Sequence, residues 1–431
     1  MLIFINGIKL MDLNNRIKSS VLKFFIPLAI IFGIPLGALA QLGPSNTGGF
    51  HDRLNLTGAS QRIGIYNNES ANAEYLIVPT NAAATEPLLL SIEVSGNVAS
   101  PAGYTVTGPS LQNDPRIVRR RAMQADFLTR KGGTDTGAPL SPSTGVPHGQ
   151  QPSVGDLWRL NSSLSSQCDA GHSTSGVVSW VGNNIIVVTD EENPAVTLSG
   201  TDATNRQNAL NAIDTSVYPT IISKFGQPAD QDNNGKVVLF ITQGVNQLDA
   251  PATSAPTPGL YLPRDLLSRQ ECSTGNVGEV IYILAPDPTG AVNSNVRTVS
   301  YVNTSMSQTF ARELAHMVID SHRITSNSPF EESWLDEALG GMALEQVFYA
   351  NSMGLAPFGN IVLSDLTSGP YAPSRVAAFN TYQNVLYSGL KSWLQQPYSA
   401  GVVDNSKMSA ASTGAQWRVG RDSCKTQQKQ A

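Results

Sequence analysis

Five consecutive residues, Arg312, Glu313, Leu314, Ala315 and His316, carry the arrangement in this chain that is best suited to chemistry. On a helix, residues four apart point to the same side, so histidines at both ends of such a pentad can hold one Zn²⁺. The glutamate after the first histidine then takes a proton from the metal-bound water. Here the first position is arginine, which stays protonated and has no lone pair to offer a metal. The pentad therefore predicts a hydrolytic metal site that has lost one ligand.

Two predicted helices must position these side chains. Ser305 with Gln308 forms a capping box that predicts the start of the helix through His316, and Ser328 with Glu331 predicts the start of the next helix. Apolar residues at helical spacing on the first helix predict a buried stripe, with the arginine, glutamate and histidine on an adjoining face. The members of that stripe are Ala311, Leu314, Ala315 and Val318.

From about Gly155 onward the chain resembles the hyicolysin family of secreted bacterial zinc metallopeptidases. The resemblance is carried by a strand-rich beginning, the segment 225–236, the pair His316-Met317 and the helix opening Trp334-Leu335-Asp336-Glu337. It implies a zincin-like, gluzincin-type peptidase domain that acts on protein or peptide substrates. It also implies that the strand over 280–284 could hold a peptide by edge pairing.

Carried over residue by residue, the resemblance implies that Glu313 is the general base and that His316 and Glu337 are zinc ligands. Glu337 lies 21 residues after His316, which suits the glutamate ligand of gluzincins. The position of Arg312 is that of the missing ligand. Zinc is the cofactor expected of the family, and its binding here is in doubt because of this substitution.

His322 is the candidate for a substitute ligand. It follows His316 by six residues, the spacing of the third histidine in H-E-x-x-H-x-x-G-x-x-H. Ile319 stands where that pattern has the glycine at which the chain turns, so we expect the helix to continue. We therefore rank Glu337 above His322.

The guanidinium of Arg312 suggests a structural role in place of the metal. It could bridge the carboxylates of Glu313 and Glu337, which a cation would otherwise neutralise. This hypothesis predicts a folded but impaired or inactive peptidase homologue. The alternatives are a secreted protein that binds peptides or a surface without cutting, and an active enzyme that uses His322.

A second metal site is suggested by Asp230, Asp232 and Asn234, whose spacing with Gly235 resembles the start of a calcium loop. An EF-hand would place glutamate at the twelfth position, where this chain has Ile241. A polar turn that leads into a strand is an equally good interpretation.

The N-terminus and the composition indicate secretion. Arg16, Lys18 and Lys23 precede an apolar stretch over 24–37, and Ala38-Leu39-Ala40 has the small residues of a cleavage site, which predicts a signal peptide over 1–40. The two prolines in the apolar stretch disfavour an uncleaved membrane anchor, so we expect membrane contact only through this segment. Charged residues make up 14% of the chain and the net charge is -5, which argues against a nucleic-acid partner. Cys168 and Cys272 could form a disulfide that leaves Cys424 unpaired.

The overall prediction is an α+β protein: a zincin-like domain preceded by a small all-β, sandwich-like domain. Within the peptidase domain, apolar runs predict strands over 184–189, 236–241 and 280–284, and helical spacing predicts a helix over 202–225 that is kinked at Pro219. Residues after Trp417 are almost all polar, so we expect a truncated end without a closing helix. The predicted boundaries are a β-rich domain over 41–130, a flexible linker over 131–155, the peptidase domain over 156–417 and a polar tail over 418–431.

Overall fold

The structure is a computed structural model, and it describes residues 144–428 with gaps at 165–167, 169–170, 253–255, 358–360, 396–401 and 403–409. Before residue 144 it describes five short strands. The chain forms two compact units, residues 1–110 with 394–404 and residues 111–393 with 405–431. Among the described residues, none of the helices is both long enough and apolar enough to cross a membrane.

The described part of the first unit consists of short strands. These are β1 (Leu2–Asn6), β2 (Ala40–Leu42), β3 (Arg53–Asn55), β4 (Ile63–Ile65) and β5 (Leu76–Thr80). β1 pairs antiparallel with both β3 and β5, and β2 pairs parallel with β4. β5 lies within the predicted β-rich domain over 41–130. The apolar stretch of the signal segment lies outside the described residues, so the sandwich and the signal peptide stay predictions.

A mixed six-stranded sheet is the centre of the second unit. Its strands are β6 (Leu157–Asn161), β7 (Ser173–Val181), β8 (Ile185–Asp190), β9 (Val237–Thr242), β10 (Gly259–Tyr261) and β11 (Val280–Leu284). They lie in the order β10-β11-β9-β8-β7-β6, with β8, β9 and β11 parallel to one another. Every residue of β9 and β11 is buried, as expected for apolar runs that are covered on both faces. Sheet and helices together make a mixed α/β architecture, which is compatible with the predicted α+β class.

The predicted edge role of the strand over 280–284 is wrong. β11 lies between β10 and β9, and the edge of the sheet is β10. β10 pairs antiparallel with β11, and all three of its residues are buried. This edge strand was missed because three residues around a glycine carry no periodic signal.

Helices follow and cover the sheet. They are α1 (Gly200–Ala212), α2 (Tyr218–Phe225), α3 (Gln243–Asn246), α4 (Val299–Thr325), α5 (Ser333–Asn351), α6 (Leu363–Thr367), α7 (Ala372–Ala378), α8 (Asn384–Gln395) and α9 (Ala410–Gln428). A π-helical segment over Ile213–Val217 joins α1 to α2, and Pro219 lies in the first turn of α2. The predicted helix over 202–225 is therefore continuous, with its π-helical segment just before Pro219.

Neither predicted capping box begins a helix. α4 begins at Val299, where the side chain of Thr298 accepts a hydrogen bond of 3.1 Å from the backbone N–H of Tyr301. Ser305 lies inside the helix and donates to a backbone carbonyl there. α5 begins at Ser333 without a side-chain cap. Burial of the first turns of α4 outweighed the local capping signal, since Val302 and Met306 are fully buried.

The C-terminal end corrects the predicted polar tail. α9 runs over Ala410–Gln428, so a closing helix is present where the prediction had none from residue 418 on. α9 packs against α5. Buried Glu345 on α5 accepts hydrogen bonds from Trp417 Nε1 (3.0 Å) and Arg421 Nε (2.7 Å). The helix was missed because its contacts with α5 include a buried ion pair, which a search for apolar periodicity does not detect.

The end of the predicted linker also packs against the second unit. Thr144 pairs with Arg159 beside the sheet, and Val146 is buried and donates from its backbone N–H to the carbonyl of Asn276 at 2.8 Å. Thr144 and Val146 are therefore held in the second unit, and the linker residues before 144 lie outside the described part of the chain. The predicted disulfide between Cys168 and Cys272 is formed, and it closes a loop of 104 residues.

We expect the variant Cys168→Ser/Cys272→Ser to lose about 2–5 kcal/mol of unfolding free energy, because a long loop is no longer restricted in the unfolded chain. Urea unfolding of the full chain with and without reductant measures this. Reduction should lower the unfolding free energy of the wild type by a similar amount and leave that of the variant unchanged. Equal stability of the oxidised wild type and the variant would contradict the prediction.

A second prediction concerns the packing of α9. Arg421→Met should cost about 3–5 kcal/mol, because the buried Glu345 carboxylate loses its cation, whereas the double variant Arg421→Met/Glu345→Met should recover part of that loss. Lys391→Met, which removes an exposed cation from α8, is the matched control and should change stability by less than about 0.5 kcal/mol. Chemical unfolding gives each value, and similar costs for both single variants would mean that the pair is not structural.

Candidate active site

The adjacent helices α4 and α5 bring together the residues of the predicted site. Arg312, Glu313 and His316 lie on α4, and Asp336 and Glu337 lie near the start of α5. All five are buried, with Glu313 and His316 fully inaccessible to solvent. Charged groups that are buried in this way are expected to be paired, so the partner of each one decides what the site can do.

Arg312 forms an ion pair with Glu337. The guanidinium Nη2 donates to Glu337 Oε2, and the two side chains are 9% and 1% exposed. A guanidinium beside a carboxylate at low dielectric gives a strong charge-assisted hydrogen bond. The predicted pairing of Arg312 with Glu337 is therefore present in the structure.

Glu313 has a different partner. Its Oε2 accepts a hydrogen bond of 3.1 Å from the backbone N–H of Tyr261 on β10. This contact joins α4 to the edge strand of the sheet, against which the helix packs. The predicted ion pair of Arg312 is thus formed with Glu337, and the backbone of β10 also holds Glu313.

His316 has the environment of a metal-ligating histidine. Its Nδ1 lies 2.7 Å from Asp336 Oδ1, which fixes the orientation of the ring, as carboxylates commonly do for metal-bound histidines. Its Nε2 is buried and has no hydrogen-bond partner among the described residues. A Cβ at Gly340 would lie 2.7 Å from this Nε2, so glycine leaves room at the nitrogen that would face a metal.

The complete set of residues does not fit catalytic zinc. One ligand atom from each of His316, Asp336 and Glu337 lies within 4.8 Å of the others, which is close enough for one ion. Asp336 is engaged with Nδ1 of His316, however, and Glu337 is engaged with Arg312. Zinc sites of this kind use three protein ligands, and Arg312 can supply none while adding positive charge. His316 and Glu337 could each ligate a metal ion, and Arg312 beside them could not.

His322 lies apart from this cluster. α4 continues through Ile319 to Thr325, as predicted. His322 is exposed in the last turn, and its Nε2 lies 3.0 Å from the position that a Cβ on Gly226 would take. Neither of the two groups of possible metal ligands among the described residues includes it. The structure therefore gives no support to His322 as the substitute ligand.

The predicted calcium loop contains a second carboxylate cluster with a different membership. Asp230, Asp232 and Glu279 offer ligand atoms within 4.8 Å of one another. Asn234 serves another purpose, because its Nδ2 donates to Asp232 Oδ2 at 2.8 Å and its Oδ1 accepts from Lys236 N at 2.7 Å. Burial raises the pKa of Asp232 to about 7 and that of Glu279 to about 8.

Three residues important for these sites were missed at the sequence level. Asp336 and Gly340 could have been noticed, because they lie one residue before and three residues after the predicted ligand Glu337 on the same helix. Glu279 lies 47 residues beyond Asp232 and precedes a strand. No local pattern connects it to the loop, and only the parallel pairing of β9 with β11 brings the two together.

We expect Arg312→Met to destabilise the chain by about 3–5 kcal/mol, because Glu337 is left as a buried carboxylate without a cation. Arg312→Met/Glu337→Gln should regain a large part of this loss. Arg323→Met is the matched control on the same helix, since Arg323 pairs with Glu331 at a partly exposed position and should contribute at most about 1 kcal/mol. Equilibrium unfolding of the wild type and the three variants measures these differences, and a double variant no more stable than Arg312→Met would argue against a structural pair.

Comparison with known proteins supports a distant relationship to metallopeptidases. No family model matches the chain. The neutral metalloprotease ShpI of Staphylococcus hyicus is 27% identical over 171 residues, which cover 39% of this chain and 33% of that protein. The chain thus matches about a third of the length of this relative. The similarity suggests a peptidase scaffold. What the scaffold does has to be argued from the residues around Arg312.

Proposed function

We propose that this protein is a secreted homologue of zinc metallopeptidases whose peptide hydrolysis is impaired or absent. The observation that carries the proposal is the buried ion pair between Arg312 and Glu337 at the position where a metal and its carboxylate ligand would meet. The distant similarity to a neutral metalloprotease supports the scaffold part of the proposal.

Glu337 cannot pair with Arg312 and ligate a zinc ion at the same time. In the ion pair, a side chain that is permanently charged neutralises the carboxylate, and no deprotonation at ordinary pH can release it. Removing Glu337 from the arginine to bind a metal would leave the guanidinium buried beside a divalent cation, which costs Coulomb and desolvation energy. Loss of the ligand and occupation of its place therefore both act against metal binding.

The remaining residues support descent from a metal site. Asp336 orients His316, and Gly340 leaves space beside Nε2. A histidine needed only for packing has no use for a clear approach to a buried ring nitrogen. We infer that Arg312 replaced a ligand in a site that was already formed by its neighbours.

Burial of β10 argues against the alternative that this chain presents its edge strand to peptides. Gly259, Leu260 and Tyr261 are all buried, and the N–H of Tyr261 is used by Glu313. Pairing of a peptide with a sheet edge needs exposed backbone groups. A non-catalytic binding function would have to use another surface.

Secretion is part of the proposal because the disulfide between Cys168 and Cys272 is of the type that persists in oxidising compartments. It agrees with the predicted signal segment over 1–40. The proposed location is outside the cytoplasm.

The variant Arg312→His tests the proposal. We expect the purified wild type to contain far less than one zinc per chain after dialysis against zinc, and to leave a casein substrate intact. The variant should bind about one zinc, because histidine restores the third ligand. Metal analysis and a proteolysis assay on the same samples measure both outcomes.

Two controls separate metal binding from catalysis. Arg312→Gln removes the guanidinium without supplying a ligand and should not gain zinc. Arg312→His/Glu313→Gln should keep the zinc of the single variant and lose any proteolysis that it gains, because the carboxylate that accepts the proton is removed. A wild-type chain that carries stoichiometric zinc, or that digests casein in a manner inhibited by chelators, would refute the proposal.

A further inference from the structure

A second cluster of acidic residues lies at the amino ends of the parallel strands β9 and β11. Ligands of open α/β sheets usually bind at the opposite, carboxyl ends of the strands. Asp230 and Asp232 belong to the turn between α2 and β9, and Glu279 immediately precedes β11. β9 and β11 are parallel neighbours, so their first residues lie at the same end of the sheet. Asp232 and Glu279 are 0% and 2% exposed, and Asp230 is exposed at the mouth of the cluster.

Glu279 has an oxygen with no partner in spite of its burial. Its Oε1 accepts from the backbone N–H of Gln231 at 3.0 Å, whereas its Oε2 is inaccessible and has no hydrogen-bond partner among the described residues. A buried carboxylate oxygen without a donor is costly. Its position beside two further carboxylates indicates that something positively charged is needed there.

Among the described residues, positive side chains do not neutralise these three carboxylates. Among the described residues, none of the ion pairs includes Asp230, Asp232 or Glu279. Lys236 is near in sequence, but its Nζ donates to the carbonyls of Gly182 and Asn183. The contrast with Glu337 and Glu345 is direct, because each of those buried carboxylates has an arginine.

The surrounding backbone fixes the carboxylates in place. Asp230 Oδ1 accepts from the N–H groups of Asn234 and Gly235, both at 3.1 Å, and Asp232 Oδ1 accepts from Asn234 N at 3.0 Å. A Cβ at Gly278 would lie 2.9 Å from Asp232 Oδ2, so the absence of a side chain there lets this carboxylate approach the segment before β11. The carboxylates are thus oriented before any ion binds.

We propose that Asp230, Asp232 and Glu279 bind a calcium ion that joins the turn before β9 to the start of β11. Three carboxylates are hard oxygen ligands, which suit Ca²⁺, and the exposed side at Asp230 leaves room for the waters that complete its coordination. The site differs from an EF-hand, because its third acidic ligand comes from a neighbouring strand instead of the twelfth loop position.

Such an ion would stabilise more than the turn itself. The backbone N–H of Gly149 donates to the carbonyl of Asp232 at 2.7 Å, and Ala229 N donates to Ser321 Oγ on α4 at 2.5 Å. The turn therefore contacts both the segment that precedes β6 and the helix that carries His316. This role does not depend on whether zinc binds at Arg312.

Thermal unfolding and titration calorimetry of the full chain test the site. After treatment with EDTA and transfer to metal-free buffer, 2 mM CaCl₂ should raise the Tm of the wild type by about 5 °C or more, since only the folded chain has the site. Calorimetry should give one calcium per chain. The same concentration of MgCl₂ should raise the Tm less, because Mg²⁺ gives up its waters reluctantly.

Glu279→Gln keeps the shape of the side chain and removes its charge. It should fold in metal-free buffer and lose the Tm increase with calcium, while Glu191→Gln, which alters an exposed carboxylate outside the cluster, should respond like the wild type. If Glu279→Gln cannot be purified, Asp230→Asn tests the same ligand set, since its amide oxygen can keep both backbone hydrogen bonds, and its calcium affinity should fall at least tenfold. The proposal is overturned by a wild-type Tm that calcium does not change, or by a variant whose calcium response matches that of the wild type.

Discussion

The ion pair between Arg312 and Glu337 is the interaction on which the arrangement of the central helices depends. Two acidic residues near the start of α5 are buried against α4, and burial at low dielectric requires that each be neutralised or hydrogen bonded. Asp336 meets His316, and Glu337 meets Arg312. A metal could have satisfied both carboxylates through one ion and its ligands. In this chain an arginine supplies the charge from within the protein, so the helix pair can remain closed without a cofactor.

The two acidic clusters show how the same electrostatic requirement leads to different conclusions. At Glu337 the neutralising charge is covalently part of the neighbouring helix and is present whenever the chain folds. At Glu279 the described residues supply only a backbone N–H to one oxygen, and the pKa is raised to about 8. An acidic site that contains its own cation has little to gain from a metal ion. An acidic site that lacks a cation gains most from a metal ion. Burial alone would therefore have indicated the wrong cluster as the better metal site.

Local patterns predicted those parts of the fold that apolar periodicity determines. The runs at 184–189, 236–241 and 280–284 became β8, β9 and β11 within one residue at each end, and His316 and Glu337 do lie together. The errors arose where tertiary contacts decide. Ser305 has a good capping signal but lies inside α4, because burial of Val302 and Met306 extends the helix towards its N-terminus. Residues 418–428 have few apolar side chains, yet α9 continues through them while Arg421 pairs with Glu345. Glu279 was beyond reach, since its partners lie on a strand that pairs only in the folded sheet.

α5 is held on two sides by the same chemistry, so loss of the Arg312 pair leaves a second attachment in place. Glu337 pairs with Arg312 of α4, and Glu345, eight residues later, pairs with Arg421 of α9. The second contact is reinforced by Trp417, whose indole N–H donates to Glu345 and whose Cβ lies 2.7 Å from the position that a Cβ on Gly341 would take. Replacing Arg312 with histidine removes one of these two attachments and leaves the other in place. His316 also stays oriented by Asp336. The geometry around the metal position should therefore survive the substitution, so a failure of that variant to bind zinc would point to the site itself rather than to a collapse of α5.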